Sequence, residues 1–455
     1  MDHKDKKIQE LTDEVNHLVG YIKTLEKKIE SLEDQLTRYQ TPKNSRNSSI
    51  PPSKDENRPK KNQSLRNKSG RKPGGQSGHK GHNLEFSTTP DETISYTPQY
   101  CECCGHNLEE VQAELYQKRQ QVDIPIIKTI CIEHQSFRKV CQCGHANAGQ
   151  FPEHLKAPIQ YGSNVEALVG YFHARQYLPY ERLSELFSTC FNLNISQGSI
   201  DNLIERLAQK AQHIYHRIRE EISHSSVVGS DETGVKINGK KHWIWTWQND
   251  DYTFISQSAS RGYAAIKEVF AQGFPKAILN HDAWKPHFQC QARGHQLCTA
   301  HLLRDLEYLE KRYNHPWPKT CKEILLDSLR LKKKMVPEEY LHICPERTAI
   351  ERRLDRLLET SIDQKHKELV SFSKRLTKYR QSLFTFLYEQ NVPPDNNASE
   401  RAIRNVKVKQ KISGQFRSER GANNFVTLRS ITDTLLKQSL DVLHHLQLIA
   451  KLTPE

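Results

Sequence analysis

The chain contains no run of about 18 apolar residues, so no single stretch could cross a bilayer as a helix. Its first residues also lack the short apolar core of a secretory signal. Both absences read as a soluble, intracellular protein. Carboxylates are in deficit, with 54 Asp and Glu against 67 Lys and Arg, a formal net charge of +13 over 455 residues. That excess argues for a polyanionic partner, with nucleic acid ahead of an acidic membrane surface. Eleven cysteines without a secretion signal read as metal ligands or core thiols rather than disulfides. The length allows about two to four domains.

What is present divides the chain. Residues 1–40 carry an unbroken three-four apolar spacing. Ile8, Val15, Ile22, Ile29 and Leu36 fill one heptad position, and Leu11, Leu18, Leu25, Leu32 and Tyr39 the other. Branched side chains at the first position with Leu at the second favour a parallel two-stranded coiled coil, and hence a homo-oligomer. Residues 41–98 form a basic linker; within Thr41–His82 eleven Lys and Arg stand against Asp55 and Glu56, with almost no large apolar group to bury. Residues 99–150 hold Cys101, Cys104, Cys141 and Cys143, close pairs that flank a β-rich stretch expected at Val122–Ile132 and suit a structural Zn²⁺ site, in which Cys103, His106, His134 or His145 could replace one thiolate. Residues 151–222 read as helices. There, Tyr180–Phe191 and Ser199–Ala208 flank a turn at Asn192–Gly198, a helix-turn-helix pattern whose second helix would enter a major groove.

From Ser226 the apolar period becomes two. Strands are expected at Val227–Ile237, across an Asn238-Gly239 hairpin turn, through Trp243, Trp245 and Trp247, and again at Tyr252–Gln257. A helix, Gly262–Phe270, and a strand ending at Asp282 complete a β-β-β-α-β order, the opening of a ribonuclease-H-like core over residues 223–311. Residues 312–390 read as a helical insertion and 391–430 as the return of the core. The C-terminal helix is expected at 431–455.

Three acids stand out. Asp231 lies on the first strand, Asp282 ends the fourth, and Glu400 opens a helix that Asn396 or Asn397 can cap. They are 51 and 118 residues apart. Converging on one sheet edge, they make an oxygen-donor site suited to two Mg²⁺ ions about 4 Å apart, with Asp231 shared between them. Glu232 points to the other strand face and is the poorer ligand. His281 and His287 read as packing residues. Cys290, His295, Cys298 and His301 are a lesser candidate for a second zinc. Arg401, Arg404, Lys407, Lys409, Lys411, Arg417 and Arg420, with Arg71 and Lys72 in the linker, are expected to meet DNA phosphates.

These residues resemble the large transposase of bacterial insertion sequence 66, a DDE transposase. The similarity rests on Asn47–Ser53 and Arg71–Gly81, on Cys101–Gly144, and on Asp231-Glu-Thr-Gly234, His281-Asp-Ala-Trp284, Leu297–Arg304 and Asn396–Arg404. It departs in the tight Cys141/Cys143 spacing and at Thr299, where the family often has Trp. The resemblance implies Asp231, Asp282 and Glu400 as the catalytic triad. It also implies a nucleoid-associated place in the bacterial cytoplasm, action on the inverted repeats of the element and on target DNA, and two small companion proteins. The rival reading is a DNA-binding protein that occupies element ends without chemistry. A nuclease that uses water alone is a third.

The coiled-coil expectation yields a first prediction. Leu18→Lys with Leu25→Lys should convert the full chain to monomers by sedimentation equilibrium; an unchanged mass would contradict the heptad reading.

Overall fold

The computed structural model describes residues 3–44, 47, 55, 85–124, 127, 129–313 and 315–453. Contacts divide the chain into two units, Lys60–Ile130 and the remainder. Arg71 and Lys72 lie outside the described residues.

The described part of the first unit is extended. One of its turns surrounds Cys101: the Cys101 amide donates to the His106 carbonyl at 2.8 Å, and the Gly105 amide to the Cys101 carbonyl at 2.8 Å. No strand forms among the described residues of Val122–Ile132, contrary to expectation. The strands stand further along, in the other unit.

That larger unit is mixed α+β. Helix α1 (His3–Gln40) displays its apolar stripe to solvent along its whole length. A hairpin of β1 (Arg138–Val140) and β2 (Ala146–Ala148) follows. Helices α2 (Ser163–Ala174), α3 (Tyr180–Phe191), α4 (Gln197–Lys210) and α5 (Gln212–His224) come next. The expected helix pair is α3 and α4. Asn192 ends α3 in the left-handed region, and Ser196 caps α4 by accepting the Ser199 amide at 3.1 Å.

The main sheet contains β3 (Val227–Ile237), β4 (Lys240–Gln248), β5 (Thr253–Ser258), β6 (Phe274–His281) and β7 (Ala292–Leu297). Its spatial order is β5-β4-β3-β6-β7. The first three strands are antiparallel neighbours; β3 with β6 and β6 with β7 run parallel. Asn238 and Gly239 both take positive φ, as the two-residue hairpin demands. Helices α6 (Tyr263–Val269) and α7 (Lys285–Gln289) connect the later strands.

Beyond the sheet, α8 (Thr299–Tyr313), α9 (Pro316–Lys334), α10 (Pro345–Glu359) and α11 (Lys367–Lys378) form the helical insertion. Its core, with Trp317, Leu354, Leu376 and Phe386, joins Ile278 of β6 and Leu297 of β7. The helix expected over Leu369–Tyr388 stops at Lys378, because Leu383, Phe384 and Phe386 turn inward through short 3-10 segments. The chain ends with α12 (Asn397–Ser413), α13 (Glu419–Lys437) and α14 (Val442–Ala450). The boundary expected at residue 430 therefore falls inside α13.

Both sheet faces are covered. Trp245 and Trp247 join the core that contains α2, α4, α13 and α14. Val235, Ile244 and Ile255 pack with Val406 and Phe425 of α12 and α13. The edge strand β5 is closed by α13: Ser430 Oγ accepts the Ile255 amide at 2.9 Å and Thr434 Oγ1 the Thr253 amide at 3.1 Å. At Gly229, where β3 meets the start of α12, an added Cβ would lie 2.6 Å from Gln248 Nε2 and 2.7 Å from both Asn396 Oδ1 and Ser399 Oγ. Gly229→Ala should therefore lower the free energy of unfolding by about 1–3 kcal/mol in a denaturant titration; a wild-type midpoint would show that α12 does not need this close approach.

Candidate active site

The segment before α12 is tied across the ends of three strands. Asn280 Nδ2, on β6, donates to the carbonyls of Pro393 at 2.8 Å and Asp395 at 2.9 Å. Asn396 Nδ2 donates to the Ser230 carbonyl on β3 at 2.7 Å. The Thr299 amide, just past β7, donates to the Pro394 carbonyl at 2.9 Å. Asn396 was expected as a helix cap. It stands at the cap position, but its Oδ1 accepts the Ser399 hydroxyl at 2.6 Å rather than a backbone amide, while Asp395 Oδ1 accepts the Asn397 amide at 3.0 Å.

This lacing brings the three acids together. Asp231 is partly buried on β3, and its Oδ1 accepts the Glu232 amide at 2.8 Å. Asp282 follows β6; its Oδ1 accepts the Trp284 amide at 2.9 Å and lies 3.8 Å from His287 Nδ1. Glu400 sits in the first turn of α12, with Oε1 at 3.0 Å from Arg304 Nη2 and 3.8 Å from His301 Nδ1. Arg404 Nη2 approaches its Oε2 at 3.6 Å. Burial pushes the Asp231 carboxyl well above the usual range, and repulsion from Glu232, Asp282 and Glu400 pushes it further. The protein thus holds three other acidic groups within electrostatic reach of Asp231.

Glu232 belongs to this group more closely than strand alternation suggests. Its side chain is 2% exposed and pairs with Arg261 at 2.7 Å. Arg261 stacks on Trp284, 4.0 Å from the ring centroid, two residues past Asp282. The other carboxylate oxygen, Oε2, is buried without a protein partner. Burial, then the charge of Asp282, raises the Glu232 carboxyl to about 7.

The histidines near Asp282 are buried, and their ligand atoms lie within 4.8 Å of one another and of Asp282. His281 and His287 are buried and stacked, with ring centroids 4.7 Å apart, and burial keeps both neutral by pushing their pKa values down. The four residues considered for a second zinc do not share a cluster among the described residues. Cys298 and His301 instead group with Glu400.

The basic set is divided. Arg401, Arg404, Lys411, Arg417 and Arg420 are exposed. Lys407 Nζ donates to the Gly234 carbonyl at 2.7 Å. Lys409 departs from the expectation: it is 5% exposed, its ammonium lies over the Phe425 ring, and burial lowers it to about 8. Ala402, Val406 and Lys409 recur at four and three residues on one buried face, a spacing that marks Lys409 as inward. Arg420 pairs with Asp201 at 2.5 Å and Glu205 at 2.9 Å, both on α4.

The two cysteine turns are alike. In β1–β2 the Cys141 amide donates to the His145 carbonyl at 2.8 Å, matching the Cys101–His106 bond, and Gly105 and Gly144 both take positive φ. Backbone amides of Cys104 and Cys103 lower the Cys101 thiol, and that of Cys143 lowers Cys141.

A family model described as Transposase IS66 family matches residues 158–424, more than half of the chain. The chain belongs to the IS66 transposase family. The matched region holds all three acids, and membership places this IS66-family chain among the DNA-processing enzymes of insertion sequences. A family of unknown function (DUF6444) matches residues 2–85. No curated protein matches the chain. No described helix is long and apolar enough to cross a membrane.

The raised Glu232 carboxyl gives a pH prediction. With its ordinary value at 4.5 and its folded value at about 7, the folded chain holds the extra proton between them, so stability falls as pH rises through that window. Glu232→Gln should flatten that decline in melting temperature between these limits. An unchanged slope would assign the decline to other groups.

Proposed function

We propose that this IS66-family chain is a DDE transposase with a ribonuclease-H-like core. It would bind the terminal inverted repeats of its element, cleave at their ends and join the 3′-hydroxyls to target DNA. The observation that carries this reading is the convergence of Asp231, Asp282 and Glu400 from three separate segments. The strand order supports the core assignment: three antiparallel strands followed by two parallel ones, with the first acid on the central strand.

The donor set fits Mg²⁺. It consists of carboxylate oxygens that repel one another, and Glu232 Oε2 beside it lacks any protein partner. A hard divalent cation meets such ligands. Asp231, Asp282 and Glu400 would hold the metal. When bound, Mg²⁺ would activate the attacking hydroxyl and stabilise the leaving oxygen at phosphorus. The chain's own part is positional. The Trp284 amide orients Asp282, and Arg304 and Arg404 steady Glu400 until substrate phosphate competes for them. Arg401, Lys411 and Arg417, exposed on and just after α12, carry the DNA backbone past the acids.

The remaining modules suit the same task. The stripe of α1 would pair two copies, as bringing two element ends together requires. Each cysteine turn would offer thiols, Cys101 and Cys141 among them, to a soft structural ion such as Zn²⁺. The α3–α4 pair and the basic linker would add DNA contacts, and the two companion proteins would complete the machinery. A bacterial cytoplasm, at the nucleoid, is where this activity belongs.

The test is strand joining on end-sequence DNA with Mg²⁺. Asp231→Asn and Glu400→Gln should each lower joining by roughly 10²–10³-fold or more while leaving end binding in gel shifts intact. Undiminished joining would remove these acids from the chemistry, and a wild-type chain that binds ends without joining them would favour the non-catalytic reading.

A further inference from the structure

Two histidines outside the acid triad face it. His287 Nδ1 lies 3.8 Å from Asp282 Oδ1, and His301 Nδ1 lies 3.8 Å from Glu400 Oε1. Both nitrogens are buried and have no hydrogen-bond partner in the protein. The rings differ at their far side. His287 Nε2 is 3.1 Å from Ser230 Oγ, so that ring is tied from its far side. His301 Nε2 has no such tie among the described hydrogen bonds. Its ring is held instead by the start of α8, where the His301 amide donates to the Cys298 carbonyl at 3.1 Å.

Ligand atoms of Cys298, His301 and Glu400 all lie within 4.8 Å of one another. Such a spacing lets side chains share one ion. The cysteine is otherwise engaged, since its Sγ accepts the Asn396 amide at 3.2 Å and so helps place α12. Arg304 reaches Glu400 Oε1 at 3.0 Å from the same helix and stands where a cation would be welcome. A long arginine can withdraw toward DNA phosphate; the short imidazole cannot.

We propose that His301 Nδ1 is a nitrogen ligand of the ion held by Glu400, which makes that position a mixed nitrogen–oxygen site preferring Mn²⁺ and later first-row divalent ions to Mg²⁺. The inference rests on the metal-site reading above. Imidazole suits first-row transition ions, whereas Mg²⁺ favours oxygen alone. His281, Asp282 and His287 also lie within 4.8 Å of one another, so the His287→Gln variant below is what separates the two positions.

Pulsed electron paramagnetic resonance on the full chain loaded with Mn²⁺ reads directly bound nitrogen. A ¹⁴N coupling from imidazole should appear in wild type, persist in His287→Gln, and vanish in His301→Gln, His301→Asn and Glu400→Gln. Mn²⁺ affinity should fall about tenfold or more in both His301 variants, with Mg²⁺ affinity changed by less than about twofold and unfolding midpoints at the wild-type value. Mn²⁺ that needs Glu400 but shows no ¹⁴N coupling would overturn the assignment of His301 alone. Mn²⁺ binding indifferent to both Asp231→Asn and Glu400→Gln would overturn the metal site and this ligand together.

Discussion

The arrangement depends on two asparagines. Asn280 and Asn396 are buried amides that use their donors on carbonyls of distant segments, β6 to the Pro393–Asp395 turn and the turn back to β3. Buried polar groups cost free energy unless paired, and here the pairing selects one geometry for the turn. The consequence reaches the third acid. Glu400 arrives 118 residues after Asp282, across an insertion with its own core, and these bonds return the chain to the same sheet edge. Gly229 allows the approach by leaving space for Asn396 and Ser399.

Bringing the acids together has a cost that the protein distributes. Asp231 and Glu232 are both raised by burial and by their acidic neighbours. Glu400 is met by Arg304 and Arg404, and Glu232 by Arg261. In the free chain these cations offset part of the repulsion. Arg404, 72% exposed, is well placed to exchange its carboxylate for a DNA phosphate. Clustering acids that repel is hard to explain as a stability device, because replacing one would relieve strain. It is readily understood as preparation for a cation.

Much of this was legible in the residues. The apolar period of two, the Asn-Gly turn and the acid-ended strand announced β3 to β6 and two of the acids, and the two prolines before Asp395 marked the start of the third acid's helix. Strand β7 was not legible: Ala-Arg-Gly-His-Gln-Leu lacks the β-branched alternation of a strand and pairs only because β6 lies beside it. Lys409 was misjudged because a run of cations hid the buried spacing of α12. Glu232 was set aside by alternation along β3, a rule that speaks of strand faces and not of what approaches the strand's end. The orphan nitrogens of His287 and His301 could emerge only once the fold had placed them against carboxylates.

The central claim is that these acids form a divalent-cation site. Anomalous diffraction from crystals of the full chain soaked in Mn²⁺ tests it most directly. The account predicts a manganese peak between Asp231, Asp282 and Glu400, absent in Asp231→Asn. Ordered crystals with the three carboxylates in place and no anomalous density among them would contradict it.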